Sequence, residues 1–309
     1  MGAFKIAVLK VGGETPISDN FKCTHEKKIY YKQQHMKSIT IVRSLFILWA
    51  AISIIPSTGK AGESPISDPG SLKPASHIVF LISKDPLNYE ADRTVPPFAE
   101  MLRKKYRCKV TVLLGEGKHG SYRYKGLDII KDADLLVVFC RRLALPFDQM
   151  DMIKNYLRAG KPLVGLRTAN HGFSVRDEVS DGFEGWWGFV PDILGCENRG
   201  YEAEELGTIV KVAPQSASHP ILKGIDPTNW KSNGQVYKVK PLIDESMVVL
   251  LTGQPKGIED TEPIAWTRRT AHKSRVFYTS LGYPDDFEVA AFRTLVVNAI
   301  HWALGINPG

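Results

Sequence analysis

The stretch with the most chemistry in this 309-residue chain is Arg167-Thr168-Ala169-Asn170-His171-Gly172-Phe173, which follows directly on the apolar run Pro162–Leu166. A guanidinium is always protonated, and its planar fork suits carboxylates, sugar hydroxyls and oxyanions. An imidazole four residues on can move a proton near neutral pH. Two more polar segments follow apolar runs in the same way: Lys84-Asp85-Pro86-Leu87-Asn88-Tyr89-Glu90 after His77–Ser83, and Arg141-Arg142 after Asp134–Cys140. Arg167, Thr168, Asp85 and Tyr89 are therefore candidate ligand contacts, and His171 and Glu90 candidate proton-transfer groups.

Each of these has a plainer alternative. His171 could be a turn residue bonding backbone, Arg167 a structural ion-pair partner of Asp285 or Asp286, and Tyr89 and Glu90 an exposed loop before a helix. Trp186 and Trp187 could stack on a sugar ring, but their spacing with Phe189 and Ile193 favours core packing. His219 before Pro220 reads as a turn element. Arg141 and Arg142 would lower the pKa of a neighbouring Cys140 thiol, whereas cysteine is among the most buried residue types.

Parallel β-strands alternating with helices would hold these loops together. His77–Ser83, Lys109–Leu114, Asp134–Cys140 and Pro162–Leu166 read as strands. Helical spacing appears between them at Thr94–Arg107, Leu127–Lys131 and Pro146–Ala159, with Pro96 and Pro97 assigned to a first helical turn. Right-handed crossovers then give a doubly wound, mainly parallel α/β sheet, which binds ligands outside the carboxyl ends of its strands. Further strands are expected at Thr208–Val212, Gln235–Val239, Met247–Leu251, Ile264–Thr267 and Val276–Ser280, as an extension of the sheet or an attached antiparallel layer. A closing helix is expected over Phe287–Leu304.

With 24% charged and 43% hydrophobic residues the chain is globular. Its net charge of +7 is concentrated at the start, where residues 1–61 hold nine Lys/Arg against three acids. The near-neutral remainder gives no reason to expect a nucleic-acid partner. Met36 to Ala61 reads as a secretory signal: Lys37 and Arg43, then the apolar stretch Ser44–Ile55, then small residues Gly59 and Ala61 before a cleavage site. The apolar stretch is shorter than the roughly 20 residues a bilayer helix needs. The organisation expected is a non-native or disordered extension over 1–35, a signal peptide over 36–61, a linker over 62–76 and an α/β domain over 77–305. The product would be exported to a periplasmic or extracellular space, without stable membrane insertion after cleavage. The three later cysteines, Cys108, Cys140 and Cys196, form no disulfide framework. Neither a G-x-G-x-x-G turn nor a paired set of metal ligands appears, so no cofactor or metal is expected.

Four segments in order, GKPLVGLRTANHGF (Gly160–Phe173), HPILKGI (His219–Ile225), EPIAWT (Glu262–Thr267) and RVFYTSLGYPDDF (Arg275–Phe287), resemble the ThuA-like, or trehalose-utilisation, family over about residues 77–305. The resemblance implies a flavodoxin-like fold similar to class I glutamine amidotransferases, and a carbohydrate-like small-molecule ligand. In those amidotransferases the turn after the matching strand carries a nucleophilic cysteine. Here Arg167 stands there and cannot attack an amide carbon, so no glutaminase activity is expected. The family's usual histidine in the last segment is Tyr283 here, a candidate ligand contact, and Asp286 joins His171 and Glu90 as a candidate catalytic group. Loss of imidazoles leaves two readings open: an exported enzyme acting on a sugar derivative, or a carbohydrate-binding accessory domain.

Overall fold

The computed structural model describes residues 76–244 and 246–306. The expected extension, the signal peptide and nearly all of the linker lie outside the described residues. In chain order the elements are β1 (His77–Ser83), α1 (Ala91–Tyr106), β2 (Lys109–Lys118), β3 (Ser121–Arg123), β4 (Leu135–Phe139), β5 (Leu145–Pro146), α2 (Phe147–Arg158), β6 (Leu163–Leu166), β7 (Phe183–Glu184), β8 (Thr208–Val212), β9 (Lys231–Ser232), β10 (Val248–Gln254), β11 (Glu262–Arg269), β12 (Arg275–Thr279) and α3 (Ala290–Ala303). Short 3-10 turns punctuate them, including Leu127–Asp132 and Arg167–His171.

Ten strands form one sheet in the order β3, β2, β1, β4, β6, β12, β11, β10, β8, β9. The neighbouring pairs from β2 to β12 are parallel, and β11, β10, β8 and β9 continue the sheet antiparallel. The result is a mixed α/β fold. Every residue of β1, β4 and β6 is buried, the signature of parallel strands covered on both faces. Ile78, Phe80 and Ile82 pack with the apolar sides of α1 and α3, through residues such as Val95, Leu102, Leu295 and Ile300. Val79 and Leu81 face the other way, toward Met150, Ile153 and Leu157 of α2. Strand order reverses at β1, which lies between β2 and β4, so the chains leaving β1 and β4 diverge and open a crevice at their carboxyl ends.

Four local expectations are corrected. Helix α1 begins at Ala91 rather than Thr94, because the amides of Ala91 and Arg93 close onto the carbonyls of Asn88 and Glu90. Pro96 and Pro97 thus lie beyond its first turn, on an exposed side where the freed carbonyls can be hydrated. The Gln235–Val239 run is not a sheet strand. Its backbone hydrogen bonds are taken up instead by the 199–202 segment, with Glu202 N donating to Val236 O and Lys238 N to Gly200 O, and this local pair satisfies the groups a sheet neighbour would have bonded. The closing helix is split, with a 3-10 turn at Pro284–Glu288, an extended Val289 and then α3. Trp186 packs edge-on against Phe189, whereas Trp187 is exposed.

Candidate functional site

A cavity of about 760 Å3 opens at the carboxyl ends of the parallel strands. The loop after β1 gives it Tyr89 and Glu90, the loop after β4 gives Arg141 and Arg142, the turn after β6 gives His171, and the loop after β12 gives Tyr283. Gln235 and Tyr237 enter from the irregular segment opposite, and Asn198, Arg199 and Tyr201 close the rim. Backbone strain concentrates here: Tyr89, Glu90, Arg142 and Arg167 all hold positive φ, between 41° and 52°. Such values are costly for side chains with a Cβ, and residues held in this way cluster at functional sites.

Arg167 begins the turn after β6 at φ 41°, a sharp strand-to-helix elbow. Its side chain is 1% exposed and lies under the cavity floor rather than in its lining. The guanidinium carbon sits 4.1 Å from the Tyr89 ring centroid, 4.8 Å from that of Tyr237 and 5.8 Å from that of Tyr283. Nη1 donates to Ser280 O at 2.6 Å, and Nη2 to Gln235 Oε1 at 2.7 Å. Gln235 passes the connection on, its Nε2 donating to the Tyr89 hydroxyl at 2.9 Å. Arg167 makes no ion pair with Asp285 or Asp286; aromatic faces and neutral oxygens carry its charge. The Tyr278 hydroxyl donates to the Arg167 carbonyl and fixes the elbow from below.

Asp286 is turned away from the cavity. Its carboxylate accepts from the amides of Gly282 and Tyr283 and from Ser232 Oγ, at 2.8–2.9 Å. Burial pushes its pKa above the usual carboxylate range, against those hydrogen bonds. It holds the turn that presents Tyr283 through Oδ2, which takes all three hydrogen bonds, and it is not part of the cavity lining. Asp285 accepts from Asn233 at the surface. Thr168 is buried and donates to Asn88, whose amide staples the end of β1 to that of β4 through Ser83 O and Phe139 O. Asp85 is also outside the lining. Burial works to raise its pKa, but the Leu87 amide, His119 and Arg141 outweigh that and hold it low.

The structure therefore brings together Tyr89, Glu90, His171 and Tyr283 at the cavity wall, with Arg167 beneath them, and leaves Thr168, Asp85 and Asp286 as supports. Tyr283 donates to Glu204 at 2.9 Å; this hydrogen bond and partial burial keep its phenol protonated. His171 Nδ1 lies against Asn170 Oδ1 and, at 2.9 Å, Asn198 Nδ2, while Nε2 makes no hydrogen bond among the described residues. Burial, followed by the charges of Arg142, Arg141, Arg167 and Arg176, lowers the His171 pKa well below the ordinary value. The ring is neutral at pH 7 and available as an acceptor or donor. Gln235 and Tyr237 went unrecognised in the sequence, where the only signal at those positions was an apolar run. Among the described residues no group of three or more His, Cys, Asp or Glu could hold a metal ion, and no helix is long and apolar enough to cross a membrane.

The cleft lies at the strand ends of an open α/β sheet, where folds of this class place their sites, and is walled by tyrosines and arginines. The chain belongs to the ThuA family, described as trehalose utilisation, whose model matches residues 79–303. The fold is similar to that of a putative ThuA-like protein from Bacteroides uniformis, with 14% identity, a TM-score of 0.55, and 79% of this chain and 94% of that one covered. It is also similar to one from Parabacteroides merdae, with 14% identity, a TM-score of 0.51, and 74% and 90% covered. No curated protein matches the chain by sequence. The family description ties the chain to carbohydrate metabolism.

Proposed function

We propose that this protein is exported and binds a sugar-like small molecule in the strand-end cavity, without glutaminase activity. The observation that carries the reading is the tyrosine wall formed by Tyr89, Tyr237 and Tyr283 around Arg167. Aromatic faces beside hydroxyl and amide groups match the mixed apolar and polar faces of a sugar ring. The parallel strands run in the order β2, β1, β4, β6, β12, which supports a flavodoxin-like, class I glutamine amidotransferase-like reading of the core. On that reading the elbow after β6 is the nucleophile position, and Arg167 there offers no lone pair for attack.

Whether turnover accompanies binding depends on His171, whose Nε2 is uncommitted and whose ring lines the cavity. Against catalysis, Tyr283 stands where the family's histidine is expected, and Asp286 is taken up in the turn. Calorimetry across a panel of mono- and disaccharides, paired with product analysis, tests the proposal. Binding without product supports an accessory role, product lost in His171→Gln supports an enzyme, and no binding of any sugar refutes both. Export is tested separately by N-terminal sequencing of the secreted protein, which should begin near Gly62.

A further inference from the structure

The geometry points to a ligand that carries an oxyanion, a sugar acid or sugar phosphate, with its charged group seated between Arg142, Arg176 and His171. This deepens the proposed sugar-binding function and rests on it. Arg141, Arg142, Arg176 and Arg199 all line the cavity, and the buried Arg167 adds a fifth guanidinium beneath its floor. The lining also holds Glu90, Glu202 and Glu204, but each is already engaged: Glu90 with Arg93, Glu202 with Lys238, and Glu204 with the Tyr283 hydroxyl. Two of the arginines are similarly matched, Arg141 by Asp85 and Arg199 by Glu197.

Arg142, Arg176 and Arg167 make no ion pair among the described residues. Arg142 is half-buried and held at φ 52°, and its one side-chain hydrogen bond goes to the neutral carbonyl of Ser174 at 3.2 Å. Partial burial together with the neighbouring Arg176 and Arg141 pulls its pKa down to about 10, the mark of cations crowded without a counter-charge. Like-charge repulsion at this spot is a cost that an incoming anion would relieve. Charge-assisted, bidentate recognition of carboxylate or phosphate is the chemistry to which a guanidinium fork is best fitted. Neutral His171 and Asn198 beside it can hydrogen-bond to the same group or to an adjacent hydroxyl.

The test measures affinities of the protein for glucose, glucuronate, glucose 6-phosphate, inorganic phosphate and acetate at low and high salt. Glucuronate, glucose 6-phosphate or both should bind at least about tenfold tighter than glucose, and the advantage should shrink as salt rises. Whichever of the two is preferred tells carboxylate from phosphate. Arg142→Gln and the surface variant Arg176→Gln should each reduce that advantage several-fold, the latter with no risk to folding. Arg158→Gln, which removes the same charge at the other end of the sheet, should leave it intact. Equal binding of glucose and the charged sugars would overturn the anion inference while sparing the sugar-binding reading. Phosphate or acetate binding as tightly as the sugars would do the reverse, and no binding by any probe would overturn both.

Discussion

Arg167 and Tyr89 are linked twice: the guanidinium carbon lies 4.1 Å from the ring centroid, and Gln235 joins the Arg167 Nη2 to the Tyr89 hydroxyl. The loop after β1 and the turn after β6 are thus locked to each other through a buried cation. Arg167→Ala would leave a void, remove the donors to Ser280 O and Gln235, and release the Tyr89 ring. A loss of about 2–4 kcal/mol in urea unfolding is expected, together with weaker ligand binding. Arg167→Lys keeps the charge but cannot lie flat across three rings, so it should recover only part of either quantity. An unchanged unfolding midpoint in Arg167→Ala would show that the guanidinium does not support the cavity floor.

Gly234 is where the opposite segment comes closest to that cation. A Cβ placed there would lie 2.7–2.8 Å from three atoms of the Arg167 guanidinium, which is pinned and has no room to retreat. Gly234→Ala should therefore destabilise the protein by roughly 1–3 kcal/mol, as overpacking does. Gly224→Ala serves as a contrast: it lies outside the cavity lining and nothing lies within 4 Å of its Cβ, but its φ is 71°. Its cost should be backbone strain alone, with no loss of binding. Equal binding defects in the two variants would refute the steric argument.

His171 makes stability pH-dependent with a definite sign. Its folded pKa lies well below the ordinary 6.5, through burial and then the surrounding arginines, so between those values the unfolded chain binds a proton that the folded one does not. Its contribution to stability is full above about pH 6.5 and is lost as pH falls below that toward the folded pKa. His77 and His219 are lowered too, also chiefly by burial, so the His171 share has to be isolated. Unfolding free energies of wild type and His171→Gln should converge on acidification. A constant difference from pH 8 to pH 5 would contradict the assigned shift.

All three described cysteines are buried and unbridged. Burial pushes the Cys140 thiol up to about 12 and raises Cys108 and Cys196 as well. The adjacent arginines do not activate Cys140, because its side chain points into the core away from them. Protein beginning at Gly62 should show no reaction with a thiol-specific disulfide reagent while folded, and three equivalents after denaturation. Ammonia release from glutamine should be absent. Release abolished by Cys140→Ala would revive a thiol mechanism.

Much of the scaffold was legible in the sequence because it depends on local pattern. HIVFLIS and LLVVF are apolar at every position, and only strands covered on both faces tolerate that. The polar loops directly after them could then be assigned to the ligand-binding edge, and Tyr89, Glu90, His171 and Tyr283 do meet at the cavity. That Arg167 itself offers no lone pair for attack also follows from the chemistry of arginine alone. Tertiary structure decided the roles within the constellation. Asp286 and Thr168 look as capable as His171 in one dimension, but both are buried outside the cavity lining, where the Gly282 and Tyr283 amides and Ser232 bind Asp286 Oδ2 and Thr168 binds Asn88. Arg167 reads as an exposed clamp until three tyrosines from separate segments cover it. Gln235 and Tyr237 lie 68 and 70 positions beyond Arg167, in a run whose local pattern signals only a strand. Burial and hydrogen-bond saturation are set by partners distant in the chain, and local periodicity carries no record of them.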